Sequence, residues 1–372
     1  MRVLLGVTGG IAAYKSAETV RLFDERGDDV RAAMTESARE FLQPMTLQVL
    51  TDHPVGAGLF DPQWESEIGH IDLARWADAV LIAPATANAI ARLANGMGDD
   101  LLSTVVLATE APVVLAPSMN TKMWHHELVQ ENVRKLEGTA GFRVVDPDSG
   151  ELACKEIGAG RMPDPPVLVE EVLTAAGPRP MAGRRVLVTA GPTREHVDPA
   201  RMLTNPSTGR MGYAMARTAR RLGADVVLVS GPTEVEPPPG VEVVDVVSAE
   251  EMRAAVLDRA PEADIVCKAA AVSDWRPVER SEQKLEKTAM SASLALERNP
   301  DILAELGERW GPSAEREGPT LIGFAAETGD VVARAREKLD DKNVHAIVAN
   351  EIGGPHSSFG SDSTTVQLVT DD

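Results

Sequence analysis

Cys154 and an unusual concentration of lysines are the residues of this chain best suited to chemistry. Cys154 sits in Ala153-Cys154-Lys155-Glu156, between Gly150 and the segment Gly158-Ala159-Gly160-Arg161-Met162. Glycines and charges on both sides predict a loop in which the thiol is exposed and mobile. Cys267, within Ile265-Val266-Cys267, reads instead as a small apolar strand residue. His70 in His70-Ile71-Asp72-Leu73, and Asn120 in Pro117-Ser118-Met119-Asn120, also stand out as candidate site residues. Either one alone is more often a packing or capping residue. The chain has nine lysines against 28 arginines, and four of the nine, Lys284, Lys287, Lys338 and Lys342, fall in two short segments. The i to i+4 spacing of Lys338 and Lys342 puts both ammonium groups on one side of a helix. A triphosphate would require that arrangement, and a solvated helix face would also produce it.

These residues need elements to position them. A length of 372 residues exceeds what one core usually organises, so two domains are expected. The Gly- and Pro-rich stretch 177–183 supplies the linker, dividing the chain into 1–178 and 179–372. In the first half, apolar runs at 3–7, 30–34, 80–83, 113–116 and 142–145 alternate with helical patterns such as 12–26 and 99–108. In the second, the runs are 186–189, 226–229, 241–246, 265–269, 321–324 and 346–349, with a possible edge strand at 364–369. Alternation of strand and helix predicts an α/β chain of two open, mostly parallel sheets.

In such sheets ligands bind beyond the carboxyl ends of the strands. In the first half those positions read Thr8-Gly9-Gly10, Thr35-Glu36-Ser37, Pro84-Ala85-Thr86 and Pro117-Ser118-Met119-Asn120. Small and hydroxyl residues before helix starts make a phosphate site. The Gly6-x-x-Gly9-Gly10 spacing lacks the G-x-G-x-x-G of a dinucleotide fold, which favours a mononucleotide such as FMN over NAD. In the second half, Thr189-Ala190-Gly191-Pro192-Thr193-Arg194-Glu195 follows the first strand. Asn205-Pro206-Ser207-Thr208-Gly209-Arg210-Met211-Gly212 then opens a helical pattern. A Ser-Thr-Gly segment before a helix is a phosphate cradle or a simple turn, and neither segment is a P-loop.

Composition limits the partners. A formal net charge of -20 disfavours nucleic acid or an anionic membrane surface, since both need clustered Lys and Arg. No run of about 18 apolar residues exists to span a membrane. Two cysteines are too few for a disulfide framework, and the amino-terminal residues run straight into a strand without a secretion signal. A cytoplasmic protein is expected. The acidic, lysine-poor balance fits a salty cytoplasm, and it also fits a GC-rich genome.

Taken together, Gly6-Val7-Thr8-Gly9-Gly10-Ile11-Ala12-Ala13-Tyr14-Lys15, Ala83-Pro84-Ala85-Thr86-Ala87-Asn88, the Pro117-to-Asn120 segment and the Cys154 loop resemble the flavin-dependent cysteine decarboxylases. With the second half included, the resemblance extends over nearly the whole chain to the bifunctional phosphopantothenoylcysteine decarboxylase/phosphopantothenate-cysteine ligase family of coenzyme A synthesis. It implies a flavodoxin-like flavoprotein domain followed by a Rossmann-like ligase domain. FMN would lie over Gly9, Gly10, Thr35, Thr86 and Ser103. His70 and Asn120 match the active-site His and Asn of the family, with Asn120 on the substrate carboxylate and His70 assisting thiol oxidation. A carboxylate leaves readily only when the carbanion has an electron sink, and oxidation of the cysteinyl thiol to a thioaldehyde provides one. Cys154 matches the donor that protonates the resulting enethiol. Lys155 replaces the small residue expected after this cysteine.

In the second half, Ala269-Ala270-Ala271-Val272-Ser273-Asp274-Trp275, Lys284, Asn299-Pro300-Asp301-Ile302, Gly323-Phe324-Ala325-Ala326-Glu327-Thr328 and the Lys338/Lys342 pair match the ligase motifs. The resemblance places CTP on Ala270, Asp274, Asn299, Pro300, Asp301, Ile302 and Phe324, with Lys284, Lys338 and Lys342 on its phosphates. Asn205 matches the residue contacting an acyl-cytidylate formed from 4'-phosphopantothenate, which L-cysteine then attacks. Pro206 and Arg210 depart from the polar residue and the lysine expected there. Mg2+ is expected with the nucleotide, its protein ligands unknown, and a homo-oligomer is implied. The other readings are a different FMN-binding enzyme of this family, such as a flavin prenyltransferase-like protein, and a non-catalytic flavin-binding regulatory protein. Neither needs Cys154 and the whole ligase motif set.

Overall fold

Val3, Leu4, Leu5 and Val7 are all fully buried, so the first strand is covered on both faces, as parallel strands require. The computed structural model describes residues 1–56, 58, 69–152, 155–286, 293–314, 317–352 and 364–371. Two compact units divide it, Met1–Gly177 and Pro178–Asp372.

In the first unit, β1 (Arg2–Val7), β2 (Asp29–Met34), β3 (Ala79–Ala85), β4 (Val113–Pro117) and β5 (Phe142–Val144) form a parallel sheet in the order β2-β1-β3-β4-β5. This 2-1-3-4-5 order is that of flavodoxin-like sheets. Side chains alternate between two cores. Val3, Leu5 and Val7 pack with Val20 and Phe23 of the helix Lys15–Asp24 and with Leu168 and Val172 of the helix Pro165–Ala176. Leu4 faces the other way, toward the core built on Ile90, Leu102 and Val133. The strand order reverses between β1 and β3, and the crevice at their carboxyl ends is where such sheets bind ligands.

The loop expected around Cys154 needs correcting on both of its sides. Asp148–Glu151 (β6) and Ile157–Arg161 (β7) pair antiparallel as a hairpin, so Gly150, Gly158 and Gly160 are strand residues. The strands were not legible because they are short, exposed and rich in glycine, with no alternating apolar face. Ala153 and Cys154 lie outside the described residues.

In the second unit the chain runs through β8 (Arg185–Ala190), β9 (Arg194–Asp198), β10 (Arg201–Thr204), β11 (Asp225–Ser230), β12 (Glu242–Asp245), β13 (Ile265–Lys268), β14 (Trp275–Pro277), β15 (Leu296–Arg298), β16 (Thr320–Glu327), β17 (Ala346–Glu351) and β18 (Gln367–Val369). The main sheet has the order β12-β11-β8-β13-β16-β17-β18, parallel except for the edge strand β18. Counted within this sheet, the order is the Rossmann 3-2-1-4-5-6 with one antiparallel strand added. Its switch point lies between β8 and β13. The small antiparallel ladders β9/β10 and β14/β15 are further elements that sequence periodicity did not indicate. Among the described residues, no helix is long and apolar enough to cross a membrane.

Candidate functional site

At the first switch point, β1 ends in Thr8, whose Oγ1 donates to the Pro84 carbonyl at 2.8 Å and accepts from Thr86 N–H at 3.1 Å. Thr86 in turn caps the helix Ala87–Ala94, accepting from Ala89 N–H. The loop after β1 meets the loop after β2 closely. A Cβ on Gly9 would lie 2.4 Å from Ser37 Oγ, a contact that only glycine avoids. Ser37 Oγ is 3.2 Å from Thr35 Oγ1. The 3-10 turns Ile11–Tyr14 and Glu36–Glu40, preceded by Gly10 and Thr35, have no side-chain cap. Their first N–H groups are therefore available to an anionic ligand. Gly9, Gly10, Thr35 and Thr86 thus lie together at the carboxyl ends of β1, β2 and β3. Ser103 is buried, and its N–H and hydroxyl both bond Asp100 Oδ1, at 2.7 and 2.8 Å, in a capping box at the start of the helix Leu101–Ala108.

Asn120 follows β4 and caps the short helix Thr121–Trp124, its Oδ1 accepting from Lys122 N–H at 2.8 Å. Its Nδ2 donates to Glu156 Oε2 at 2.7 Å, which ties it to the tip of the β6/β7 hairpin two residues from Cys154. Glu156 was not among the residues read from sequence, because a lone acid in a loop carries no signal of its partner. The hairpin approaches the Asn120 segment so closely that Gly160 has no substitute. It adopts φ +138°, its carbonyl accepts from Met119 N–H, and a Cβ would sit 2.2 Å from the Met119 carbonyl oxygen. Gly160→Ala is expected to undock the hairpin and reduce the activity of the first unit by about tenfold or more. Activity of the second unit should be unchanged, which assays of both reactions on one preparation would check. His70 is half-buried and begins the helix His70–Trp76. Cys267 is enclosed, and burial pushes its thiol up to about 12, so it is inert at neutral pH.

The second switch point opens into a cleft of about 800 Å³, lined among others by Lys268, Asp274, Asn299, Asp301, Lys338 and Lys342. Ala270, Pro300, Ile302 and Phe324 also border it. Its floor is a backbone lattice. Thr189 Oγ1 accepts from Ala270 N–H, Thr193 Oγ1 accepts from Ser273 N–H, and Asn299 Nδ2 donates to the Ser273 carbonyl at 2.8 Å. Asn299 Oδ1 is buried and has no hydrogen-bond partner among the described residues. Asp301 caps the helix Ile302–Trp310 and pairs with Lys342 at 2.9 Å. Burial alone would raise its pKa, but the Ala304 N–H and the Lys342 ammonium hold the carboxyl below the usual range. Lys338 Nζ donates to the Phe324 carbonyl at 2.7 Å, and burial pushes its pKa down.

Beside it lies a second cleft of about 970 Å³ lined by Asn205, Arg194, Arg210 and Arg217. Ser207, Thr208, Arg210 and Ala214 border both clefts. Asn205 Nδ2 donates to the Ala271 carbonyl at 3.1 Å, so this side chain is anchored to the loop after β13. The helix Arg210–Arg221 comes tight onto the end of β8, since a Cβ on Gly212 would meet Ala190 Cβ at 2.5 Å. Among the described residues, no group of three or more His, Cys, Asp or Glu converges to hold a metal ion.

Lys284 is exposed and does not line either cleft, and Lys287 lies outside the described residues. The residue after Lys284 is held firmly. Fully buried Asp198 accepts from Leu285 N–H at 3.2 Å and pairs with Arg201, whose guanidinium also donates to the Leu285 carbonyl. Lys268, Arg194 and Arg217 were missed by sequence reasoning. Lys268 had a usable signal, because it is one of only nine lysines and ends a strand run.

The sequence matches the Flavoprotein family over residues 1–177 and the DNA/pantothenate metabolism flavoprotein C-terminal domain over residues 181–372. Coenzyme A biosynthesis bifunctional protein CoaBC of Vibrio vulnificus (strain YJ016) is 45% identical over 370 residues, covering 99% of this chain and 90% of that protein. The Escherichia coli (strain K12) protein of the same name is 43% identical over 375 residues, covering 100% of this chain and 91% of its own. The crystal structure of the C-terminal domain of a CoaBC protein is 42% identical, covers 52% of this chain and 84% of that one, and has a TM-score of 0.43. With both halves matched in order and these relatives aligned almost end to end, the chain belongs to the CoaBC family of coenzyme A biosynthesis, bifunctional enzymes joining a phosphopantothenoylcysteine decarboxylase to a phosphopantothenoylcysteine synthetase.

Proposed function

We propose that the second unit binds CTP in the lysine-lined cleft and 4'-phosphopantothenate in the arginine-lined one, and that the first unit decarboxylates the product with FMN. The observation that carries this reading is the pair of clefts bordered in common by Ser207, Thr208 and Arg210, with Asn205 beside them. A carboxylate in one cleft can there meet the α-phosphate of a nucleotide in the other. Attack forms the acyl-cytidylate and releases pyrophosphate, and the amine of L-cysteine then displaces CMP to form the amide. Lys338 and Lys342 offset phosphate charge, and Arg194, Arg210 and Arg217 suit the 4'-phosphate, Arg binding such groups in bidentate fashion. The buried Asn299 Oδ1 suits the exocyclic amine of cytosine. Lys284 would join the phosphates from its exposed position. Mg2+ would serve here as the counter-ion of the nucleotide.

In the first unit, Gly9, Gly10, Thr35 and Thr86 fit FMN. The uncapped turns suit its phosphate, and Gly9 lets the two loops close together. Ser103 would act by fixing the start of its helix. FMN, when bound, supplies reversible two-electron oxidation of the cysteinyl thiol. Asn120 Nδ2, now on Glu156, would hold the substrate carboxylate, His70 would assist removal of the thiol proton, and Cys154 would return a proton after CO2 departs. Ile11 and Tyr14, 62% and 63% exposed in the turn that follows Gly10, are apolar surface that a second subunit of a homo-oligomer would cover beside the FMN.

Purified protein incubated with 4'-phosphopantothenate, L-cysteine, CTP and Mg2+ should yield 4'-phosphopantetheine, CMP, pyrophosphate and CO2, read by mass spectrometry. A colourless protein that takes up no added FMN would sink the flavin part of the reading. Absence of CMP would sink the ligase part.

A further inference from the structure

Side chains alternate along β13, and the alternation carries Lys268 to an unusual place. Val266 packs in the core beneath the helices Ile302–Trp310 and Val331–Lys342, while Cys267 faces the opposite core with Tyr213 and Ala216. Lys268, two residues beyond Val266, is on the same face as Val266, at the carboxyl end of the strand next to the switch point. It is half-buried and lines the cleft.

Its surroundings do not satisfy it. Asp301 is bonded to Ala304 N–H and Lys342, and Lys338 is bonded to the Phe324 carbonyl. Lys268 itself makes no ion pair or side-chain hydrogen bond with any described residue. Burial and the charge of Lys338 push its pKa down to about 8, against the pull of Asp301 and Asp274. The facing charges are thus Asp274 after its own strand, Asp301 at the start of one helix, and Lys338 and Lys342 on the other, with Glu327 on β16 beside Lys338. A strand-end residue above an apolar core is more cheaply an aliphatic one. A partly desolvated ammonium on the cleft wall, with no direct ion pair among the described residues, is placed to meet an incoming anion.

We infer that Lys268 is a nucleotide-binding residue of the ligase reaction, its ammonium contacting the triphosphate of CTP alongside Lys338 and Lys342. The inference rests on CTP occupying this cleft. It has a consequence that a structural role lacks. As pH rises through about 8 the free site progressively gives up the Lys268 proton, so binding a polyanion there draws a fraction of a proton back from solvent.

The test is isothermal titration of CTP into the full-length protein, its Lys268→Met and its Lys268→Arg variants, at pH 7, 8 and 9. Lys268→Met should weaken CTP about tenfold or more at pH 7. Wild-type affinity should fall toward that of the methionine variant as pH rises, while Lys268→Arg should stay close to wild type at pH 7 and lose most of this decline. Titrations at pH 8.5 in buffers of different ionisation enthalpy should show fractional proton uptake for wild type and less for Lys268→Met. Unchanged decarboxylation of supplied phosphopantothenoylcysteine and a melting temperature no lower than wild type would report an intact variant. Equal affinity and equal proton uptake in wild type and Lys268→Met would overturn the role of Lys268 alone. Failure of wild type to bind CTP at all would overturn the assignment of the cleft, and this inference with it.

Discussion

Cys154→Ser is expected to stop the decarboxylase after CO2 has left, with an oxidised enethiol product accumulating in place of 4'-phosphopantetheine. A serine hydroxyl is a far weaker acid than a thiol, and loss of a positioned proton donor typically costs about 10²–10⁴-fold. The bonds that hold the described residues on either side of the cysteine are made by other groups, so the substitution is expected to act on chemistry. The hairpin tip is closed by Leu152 N–H on the Glu156 carbonyl and Lys155 N–H on the Leu152 carbonyl, both at 2.8 Å. Lys155 turns the chain through φ +64°, and Glu156 anchors it to Asn120. None of these bonds uses the thiol. Release of CO2 in a single turnover should therefore survive, the trapped species being two hydrogens lighter than normal product by mass spectrometry. Pyrophosphate release by the ligase should not change. Normal yield of 4'-phosphopantetheine from the serine variant would remove Cys154 from the mechanism.

Asn205→Ala should lower ligase turnover by about 10²–10³-fold, the usual effect of deleting a donor aimed at developing charge. Asn205→Asp should be worse, since it sets a carboxylate where another carboxylate must approach a phosphate. The side chain is held by Ala271 on the loop after β13 and stands at the edge of the arginine-lined cleft, so it can address the junction of the two substrates. CMP formation measured by chromatography should fall in both variants, while decarboxylation of supplied phosphopantothenoylcysteine continues. Wild-type CMP formation by the aspartate variant would exclude Asn205 from the acyl-transfer site.

Much of this was legible in the residues. Runs such as 3–7 and 186–189 are apolar throughout because strands covered on both faces have no solvent side, and they appear in the structure as β1 and β8 within a residue or so. Less visible were the hairpins β6/β7, β9/β10 and β14/β15. Their strands are three to five residues long and mostly polar, stabilised by ladder bonds and close backbone approach, and neither leaves a periodic trace. Lys284 and Lys338 were picked out by the same scarcity argument, yet only Lys338 lines the cleft. Spacing along the chain does not determine which way a side chain faces once its loop is folded.

By itself, then, the sequence determined the α/β class and the chemical types gathered at strand ends, because burial and turn formation are local demands written in local composition. Only the tertiary structure decided the strand orders 2-1-3-4-5 and 3-2-1-4-5-6, and with them the places where the sheets reverse and clefts open. It alone joined Asn120 to Glu156 and set Lys268 beside Asp301 and Lys338. The physical reason is that a hydrogen bond or a shared electrostatic field depends on distance in space, and tens of residues of chain separate the partners.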